Sequence, residues 1–218
     1  MEFLTFVFIL VAIAAISSLV ANSLFGSRTQ DYSGLDSTER LVAHSLAQLD
    51  PDFYTVINNV MLPSRGNTSL TQIDHIVVSR FGIFCIETKS HKGWIFGFSD
   101  RQQWTQVLYR DKYKFYSPVL QNFAHTKALE LLLGQNLKSR VISLISFPNA
   151  DKVKVDNKET DCSAWGVVEK IARCKVHVYD SDEYERIVRS IQTANITDQA
   201  MIVKHNDEVR CLINSDYV

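Results

Sequence analysis

Gln72-Ile73-Asp74-His75-Ile76-Val77-Val78-Ser79-Arg80-Phe81-Gly82-Ile83-Phe84-Cys85-Ile86-Glu87-Thr88-Lys89 decides the fold. Two runs of β-branched and aromatic residues flank a short turn ending in Gly82, which is the pattern of a β-hairpin. A turn of two residues (Arg80-Phe81) or four (Ser79–Gly82) sets Val78 opposite Ile83. Counting outward then sets Asp74 opposite Glu87, and directly opposed residues share a sheet face with Cβ atoms about 4.5–5.5 Å apart. Lys89 shares that face with Glu87, because alternate residues of a strand do. A three-residue turn with Gly82 in a bulge instead sends Asp74 to the other face.

Like charges directly opposed in a sheet repel. A divalent cation is one natural compensator, since Mg²⁺ is held by one or two carboxylates and keeps waters and phosphate oxygens. A structural pairing of Lys89 with Glu87, or one carboxylate turned to solvent, is the other.

Upstream of the hairpin, Asp36 reads as a helix N-cap with Glu39 three residues on, as in a capping box. The helix is expected to run to about Leu49, where Asp50-Pro51 stops it. Val42, Ala43, Leu46 and Leu49 form its apolar stripe, and Glu39 falls on the same side. Glu39 is therefore either a site residue or simply the closing member of the capping box. A β-like stretch is expected near residues 54–62.

Downstream, residues 93–116 mix Trp94, Phe96, Phe98, Trp104, Tyr109, Tyr113, Phe115 and Tyr116 with Arg101, Arg110, Lys112 and Lys114, with Lys92 just before. Two or three short strands are expected. Their basic and aromatic residues suit either a nucleic-acid track or a half-buried meander with a charged outer face, the second being the plainer reading. Ser117-Pro118 then opens a helix and Gly134 closes it. Gln121, His125, Ala128, Leu129 and Leu132 are expected on one stripe. Gln121 is the site candidate, lying near the positive end of the helix dipole, and His125 reads as a hydrogen-bonded core histidine. Residues 141–147 read as a buried strand, 152–155 and 175–179 as further short strands, and 182–196 as a helix.

The chain of 218 residues holds one ordinary domain with an appendage. With 46% hydrophobic and 22% charged residues it supports a sizeable core. A formal net charge of −1 announces no strongly basic nucleic-acid binder, so any such contact needs a local patch. The four cysteines, Cys85, Cys162, Cys174 and Cys211, form no CxxC pair, which argues against a zinc ribbon or a disulfide framework. From Phe3 to Phe25 no residue is charged, long enough for a helix to span a bilayer. A cleaved signal peptide would want a basic start and a shorter apolar core. Arg28 follows the stretch and no Lys or Arg precedes it, which expects residues 26–218 on the cytoplasmic side of an inner (plasma) membrane.

These motifs resemble the nuclease-related domain (NERD) family, placed in the PD-(D/E)XK, restriction-endonuclease-like superfamily. The resemblance runs from about Asp36 to Gly134. It covers Glu39, Gln72-Ile73-Asp74-His75, Gly82-Ile83-Phe84, Ile86-Glu87-Thr88-Lys89, Lys92-Gly93-Trp94-Ile95, Trp104-Thr105-Gln106, Lys112–Tyr116, Pro118, Gln121-Asn122 and His125. It departs at Gly34-Leu35-Asp36-Ser37-Thr38-Glu39, where similar sequences often carry a second Gly before the Glu, and no zinc ribbon or helicase accompanies it.

The resemblance implies an α/β fold with a mixed central sheet flanked by helices, here preceded by one N-terminal transmembrane helix. It implies that Asp74 and Glu87 bind Mg²⁺ (or Mn²⁺), and that Glu39 completes the metal shell directly or through water. Lys89 would orient or help deprotonate the attacking water and offset phosphate charge, and Gln121 would be the superfamily's helix glutamine. The expected organisation is an anchor at 1–25, a linker at 26–34, the nuclease-like domain at 35–150 and a C-terminal extension at 151–218 that packs on or extends it. The expected function is a membrane-anchored, metal-dependent nuclease acting on the phosphodiester bonds of DNA (or RNA). Its partners are nucleic acid and, through residues 3–25, the lipid bilayer. The alternative is a catalytically inactive scaffold of the same fold.

Overall fold

The structure, a computed structural model, describes residues 32–64, 68–158, 160–161 and 163–215. The apolar stretch 3–25 and the linker to residue 31 lie outside the described residues, among which no helix is long and apolar enough to cross a membrane.

The first helix, α1 (Ser37–Leu46), starts as its sequence requires: the Asp36 carboxylate accepts from the Thr38 and Glu39 amides, and the Glu39 carboxylate accepts from the Asp36 amide. It ends at Leu46, short of the expected Leu49. Single turns carry the chain on, with the Gln48 amide donating to Ser45 and the Leu49 amide to Leu46.

Three antiparallel strands follow: β1 (Tyr54–Pro63), β2 (Leu70–Ser79) and β3 (Gly82–Thr88). Ser79 pairs with Gly82 and Val78 with Ile83, so the connection is the two-residue turn Arg80-Phe81 and Gly82 is not a bulge. Next come β4 (Gly93–Gly97), β5 (Gln103–Leu108) and β6 (Asp111–Tyr116), then α2 (Pro118–Leu133) and β7 (Ile142–Ser146). The chain finishes with β8 (Ala150–Val155), β9 (Thr160–Asp161), α3 (Ala164–Arg173), α4 (Ser181–Ala194) and α5 (Gln199–Ser215).

The strands form two sheets. One has the order β1-β2-β3-β7-β9, in which β3 and β9 lie parallel to β7, so it is mixed as expected. The other has the order β6-β5-β4-β8. Alternation along β2 and β3 divides the mixed sheet's two faces. Ile76, Val78, Ile83 and Cys85 pack with Leu129 and Leu133 of α2 and Ile187 and Ile191 of α4. Val77, Phe84 and Ile86 pack with Val42 and Leu46 of α1 and Val167 and Ile171 of α3. Both faces are covered, which is why β3 is buried at every position. The second sheet closes one face over Ile95 and Trp104, against Ile145 and Phe147.

One expectation is corrected. Residues 175–179 form no strand; the Val178 and Tyr179 amides both donate to the Arg80 carbonyl, so this stretch docks as a loop on the hairpin turn. Residues 199–215, for which the sequence suggested no element, form α5. Residues 150–155 and 160–161 join the two sheets as β8 and β9, so part of the chain after residue 150 completes the sheets.

Candidate active site

The hairpin register carries the sequence argument through. The ladder of β2 and β3 ends at His75–Ile86, and the next step of the register sets Asp74 beside Glu87. Both belong to the face that α2 covers. Glu87 is 1% and Asp74 9% exposed. The Asp74 carboxylate accepts from the Thr88 amide at 2.7 Å, which locks it to the end of β3.

Lys89 Nζ lies 2.7 Å from Glu87 Oε1 and donates to Gln121 Oε1 at 2.8 Å. Gln121 reaches it from the first turn or so of α2, whose start is fixed by Ser117-Pro118. The other oxygen of Glu87 meets His125 Nε2 at 3.1 Å, and His125 Nδ1 meets Thr71 Oγ1 at 2.6 Å. Glu87 is thus gripped at both oxygens, with Lys89, Gln121, His125 and Thr71 joined in one chain of contacts.

The electrostatics follow. Burial raises the Asp74 carboxyl well above the usual carboxylate range, and the charges of Glu87 and then Glu39 push it further. Burial acts on Glu87 in the same direction, but Lys89 and His125 outweigh it and hold this carboxyl at about 2. Burial alone would lower Lys89; the surrounding carboxylates, Glu87 first, raise it instead, so its side chain is a firm ammonium. Glu39 is half-buried and raised, chiefly by burial. It both closes the capping box and adds its charge to Asp74 and Lys89. The two readings of Glu39 left open by the sequence are compatible.

Asn122 and Asn59 escaped the sequence reading, and His125 was placed without its partner. His125 is the buried, hydrogen-bonded histidine expected, but its partner is Glu87. Asn122 is fully buried and pins α2 to the sheet: its amide donates to the Cys85 and Leu144 carbonyls and to Ser143 Oγ, and its Oδ1 accepts from Cys85 Sγ. The inward stripe of α2 therefore runs through Asn122, His125, Thr126, Leu129 and Leu133, with Gln121 half-buried at its flank and Leu132 only partly buried. Turning that stripe by one residue, from Gln121 to Asn122, would have found Asn122. Asn59 lies between the Asn58–His75 and Val60–Ile73 pairs, so it stands at the register position opposite Asp74, with φ 53°. Asparagine tolerates that left-handed backbone. Its side chain accepts from Gln72 and donates to the Ser33 carbonyl, tying β2 to the segment that enters α1. His75 projects to the opposite face from Asp74, hydrogen-bonded to Asn58, and burial lowers it to about 4.

The sequence profile of the nuclease-related domain matches residues 36–148, just over half the chain. The chain belongs to the nuclease-related domain family. That family is part of the restriction-endonuclease-like superfamily, and the matched span takes in every residue of the Glu39–Asp74–Glu87–Lys89–Gln121 cluster. The chain is also similar to an uncharacterized protein of Bacillus anthracis, 35% identical over 210 residues, covering 94% of this chain and 95% of that one. No solved structure matches it.

No three His, Cys, Asp or Glu side chains stand together in metal-ligating geometry among the described residues. The donor chemistry nonetheless fits a hard cation. A buried aspartate is held beside a second carboxylate, and the charge of a third, Glu39, acts on Asp74 and Lys89. Each Glu87 oxygen has one partner here and a carboxylate oxygen can take two.

Proposed function

We propose that this nuclease-related domain is a metal-dependent phosphodiester hydrolase. The carrying observation is the buried Asp74 beside an ionised Glu87, with the Lys89 ammonium fixed between Glu87 and Gln121. Asp74 and Glu87 are the residues to hold Mg²⁺ or Mn²⁺, and Glu39, whose charge acts on Asp74, would complete the shell directly or through water. When bound, the cation supplies Lewis acidity toward a phosphoryl oxygen and lowers the pKa of a water.

The chain's own groups divide the remaining work. Lys89, raised by the carboxylates around it in the metal-free chain, serves as donor and positive charge toward a phosphate oxygen and orients the attacking water. Gln121 aims the ammonium. His125 grips the Glu87 oxygen remote from Lys89 and so fixes the rotamer of the carboxylate. The nucleic-acid substrate is DNA first, with RNA also admitted by this chemistry. The uncharged stretch from Phe3 to Phe25 supports a single-pass tether that would hold the domain at the cytoplasmic face of the membrane. Membrane fractionation of the chain with and without residues 1–25 tests that part.

The central test incubates the purified chain with single-stranded DNA, duplex DNA and RNA, in Mg²⁺ or Mn²⁺ and in chelator. Cleavage that needs the cation and is lost in Lys89→Ala is expected. Equal behaviour of wild type and Lys89→Ala overturns the reading. One observation favours a second reading: Lys89 already neutralises Glu87, so the cluster can be a structural ion pair in a non-catalytic scaffold. Calorimetry separates the two, since the scaffold predicts no divalent-metal binding and the hydrolase predicts binding that Asp74→Ala abolishes.

A further inference from the structure

The second sheet presents one face to the core and leaves the other open. Its register aligns two rows across all four strands. Lys112, Val107, Trp94 and Lys152 form one; Lys114, Thr105, Phe96 and Lys154 form the other. Residues paired across strands share a face, and the side chains agree. Lys152 and Lys154 place their ammonium groups over the Trp94 ring at 5.6 and 5.2 Å, Lys154 also lies over Phe96 at 5.5 Å, and Lys114 donates to Thr105. The opposite face is the one closed by Ile95 and Trp104. All four lysines are exposed and Trp94 is 46% exposed. No carboxylate occupies either row, and none of the four lysines is paired with one among the described residues. In a chain of net charge −1 this is a concentrated positive surface.

Its position in the chain matters as much as its charge. β3 ends at Thr88 and β4 begins at Gly93, while β6 ends at Tyr116 and α2 begins at Pro118. The first three strands of this sheet are thus inserted between the segments that supply Lys89 and Gln121. Trp94 follows Lys89 by five residues, so their Cα atoms are at most about 18 Å apart.

We infer that this face is a stacking platform for a single nucleic-acid strand, with the four lysines on its phosphates and Trp94 and Phe96 against unpaired bases. The inference deepens the proposed function by naming its substrate class, and rests on it for the link to cleavage. An exposed indole with ammonium groups beside and over its ring can stack on the π-face of any base, and in a duplex those faces are covered by the neighbouring stacked pairs. The lysine rows span three strand spacings, about 14 Å, by two residues along the strand, about 7 Å, which suits a few nucleotides.

The test measures anisotropy of a labelled oligothymidine with the full-length chain in chelator, where cleavage cannot intervene. The Lys89→Ala form serves as a second background. Single-strand binding should exceed duplex binding. Four phosphate contacts give a slope of log K against log salt near −3, reduced by about 1.4 in the Lys152→Gln/Lys154→Gln double variant. Trp94→Ala should weaken binding on the order of tenfold, with the melting temperature unchanged because the side chain is half-exposed. Binding by these variants equal to wild type overturns the proposal. So does a preference for duplex, or binding to phosphatidylserine vesicles that depends on Trp94 and Lys154 while the oligonucleotide is ignored. If binding follows Trp94 but no cleavage ever appears, the platform stands and the hydrolase reading fails. If cleavage is Lys89-dependent but indifferent to Trp94, the hydrolase stands and the platform fails.

Discussion

Replacing Lys89 by Met is the most informative perturbation, because it removes an ammonium while keeping most of the side chain's bulk. Glu87 is held at about 2 against an ordinary 4.5. At roughly 1.4 kcal/mol per pH unit that difference corresponds to about 3 kcal/mol of preference for the folded, ionised form. Lys89 and Glu87 side chains are 19% and 2% exposed, so solvent screens the pair little. His125 shares the task, which leaves a loss of about 2 kcal/mol for Lys89→Met, near the low end of the cost of breaking a buried pair. The sign with pH is fixed. A carboxyl depressed on folding stabilises the fold above its unfolded value of 4.5, and this stabilisation disappears as pH falls toward 2. The stability gap between wild type and variant is therefore full at pH 7 and closes as the medium is acidified. Urea denaturation in chelator across that range is the assay. Adding Glu87→Gln to Lys89→Met should restore most of the loss at pH 7, since no charge is then left buried without its partner. A gap that stays constant with pH, or a double variant no more stable than Lys89→Met, refutes this account.

Asp74→Asn should raise stability in metal-free buffer at pH 8. Burial keeps the native carboxyl protonated to higher pH than in the unfolded chain, so stability is full below about 3.9 and falls as pH rises toward the folded value. Thermal melts at pH 8 and pH 4 check this; the gain should vanish at pH 4, and divalent-metal binding by calorimetry should be lost at either site carboxylate's removal. His125→Ala leaves Glu87 Oε2 and Thr71 Oγ1 without their shared partner and should cost about 1–3 kcal/mol in denaturant unfolding. Gly97→Ala should disrupt the second sheet, because its Cβ would stand 2.1 Å from Trp104 Cδ2, an indole that is fully buried. A loss of about 1–3 kcal/mol or more, with changed Trp fluorescence, is expected.

What the sequence determined by itself was local. Asp36 and Glu39 specify a helix start through contacts three residues apart, and Arg80-Phe81-Gly82 marks a hairpin whose period of two carries Asp74, Glu87 and Lys89 to one face once the two-residue turn of the structure is chosen over a three-residue one. Those relations depend on short separations and fixed geometry, so they can be counted along the chain. The α/β class with its mixed sheet was legible for the same reason, and the family through the resemblance of its motifs. Tertiary structure decided what depends on distant segments meeting. Only the docking of α2 brought His125 and Gln121 to the two ends of the Glu87–Lys89 pair, and only the packing of α1 added Glu39's charge to Asp74. The lysines of β8 reach Trp94 because β8 pairs with β4 in parallel across more than fifty residues, a match that periodicity cannot encode. Residues 175–179 carry a strand's composition yet form a loop, because the partners available to their amides are set by the hairpin turn they dock against. A buried carboxylate, finally, acquires its charge state from everything that surrounds it, and that environment exists only once the chain has folded.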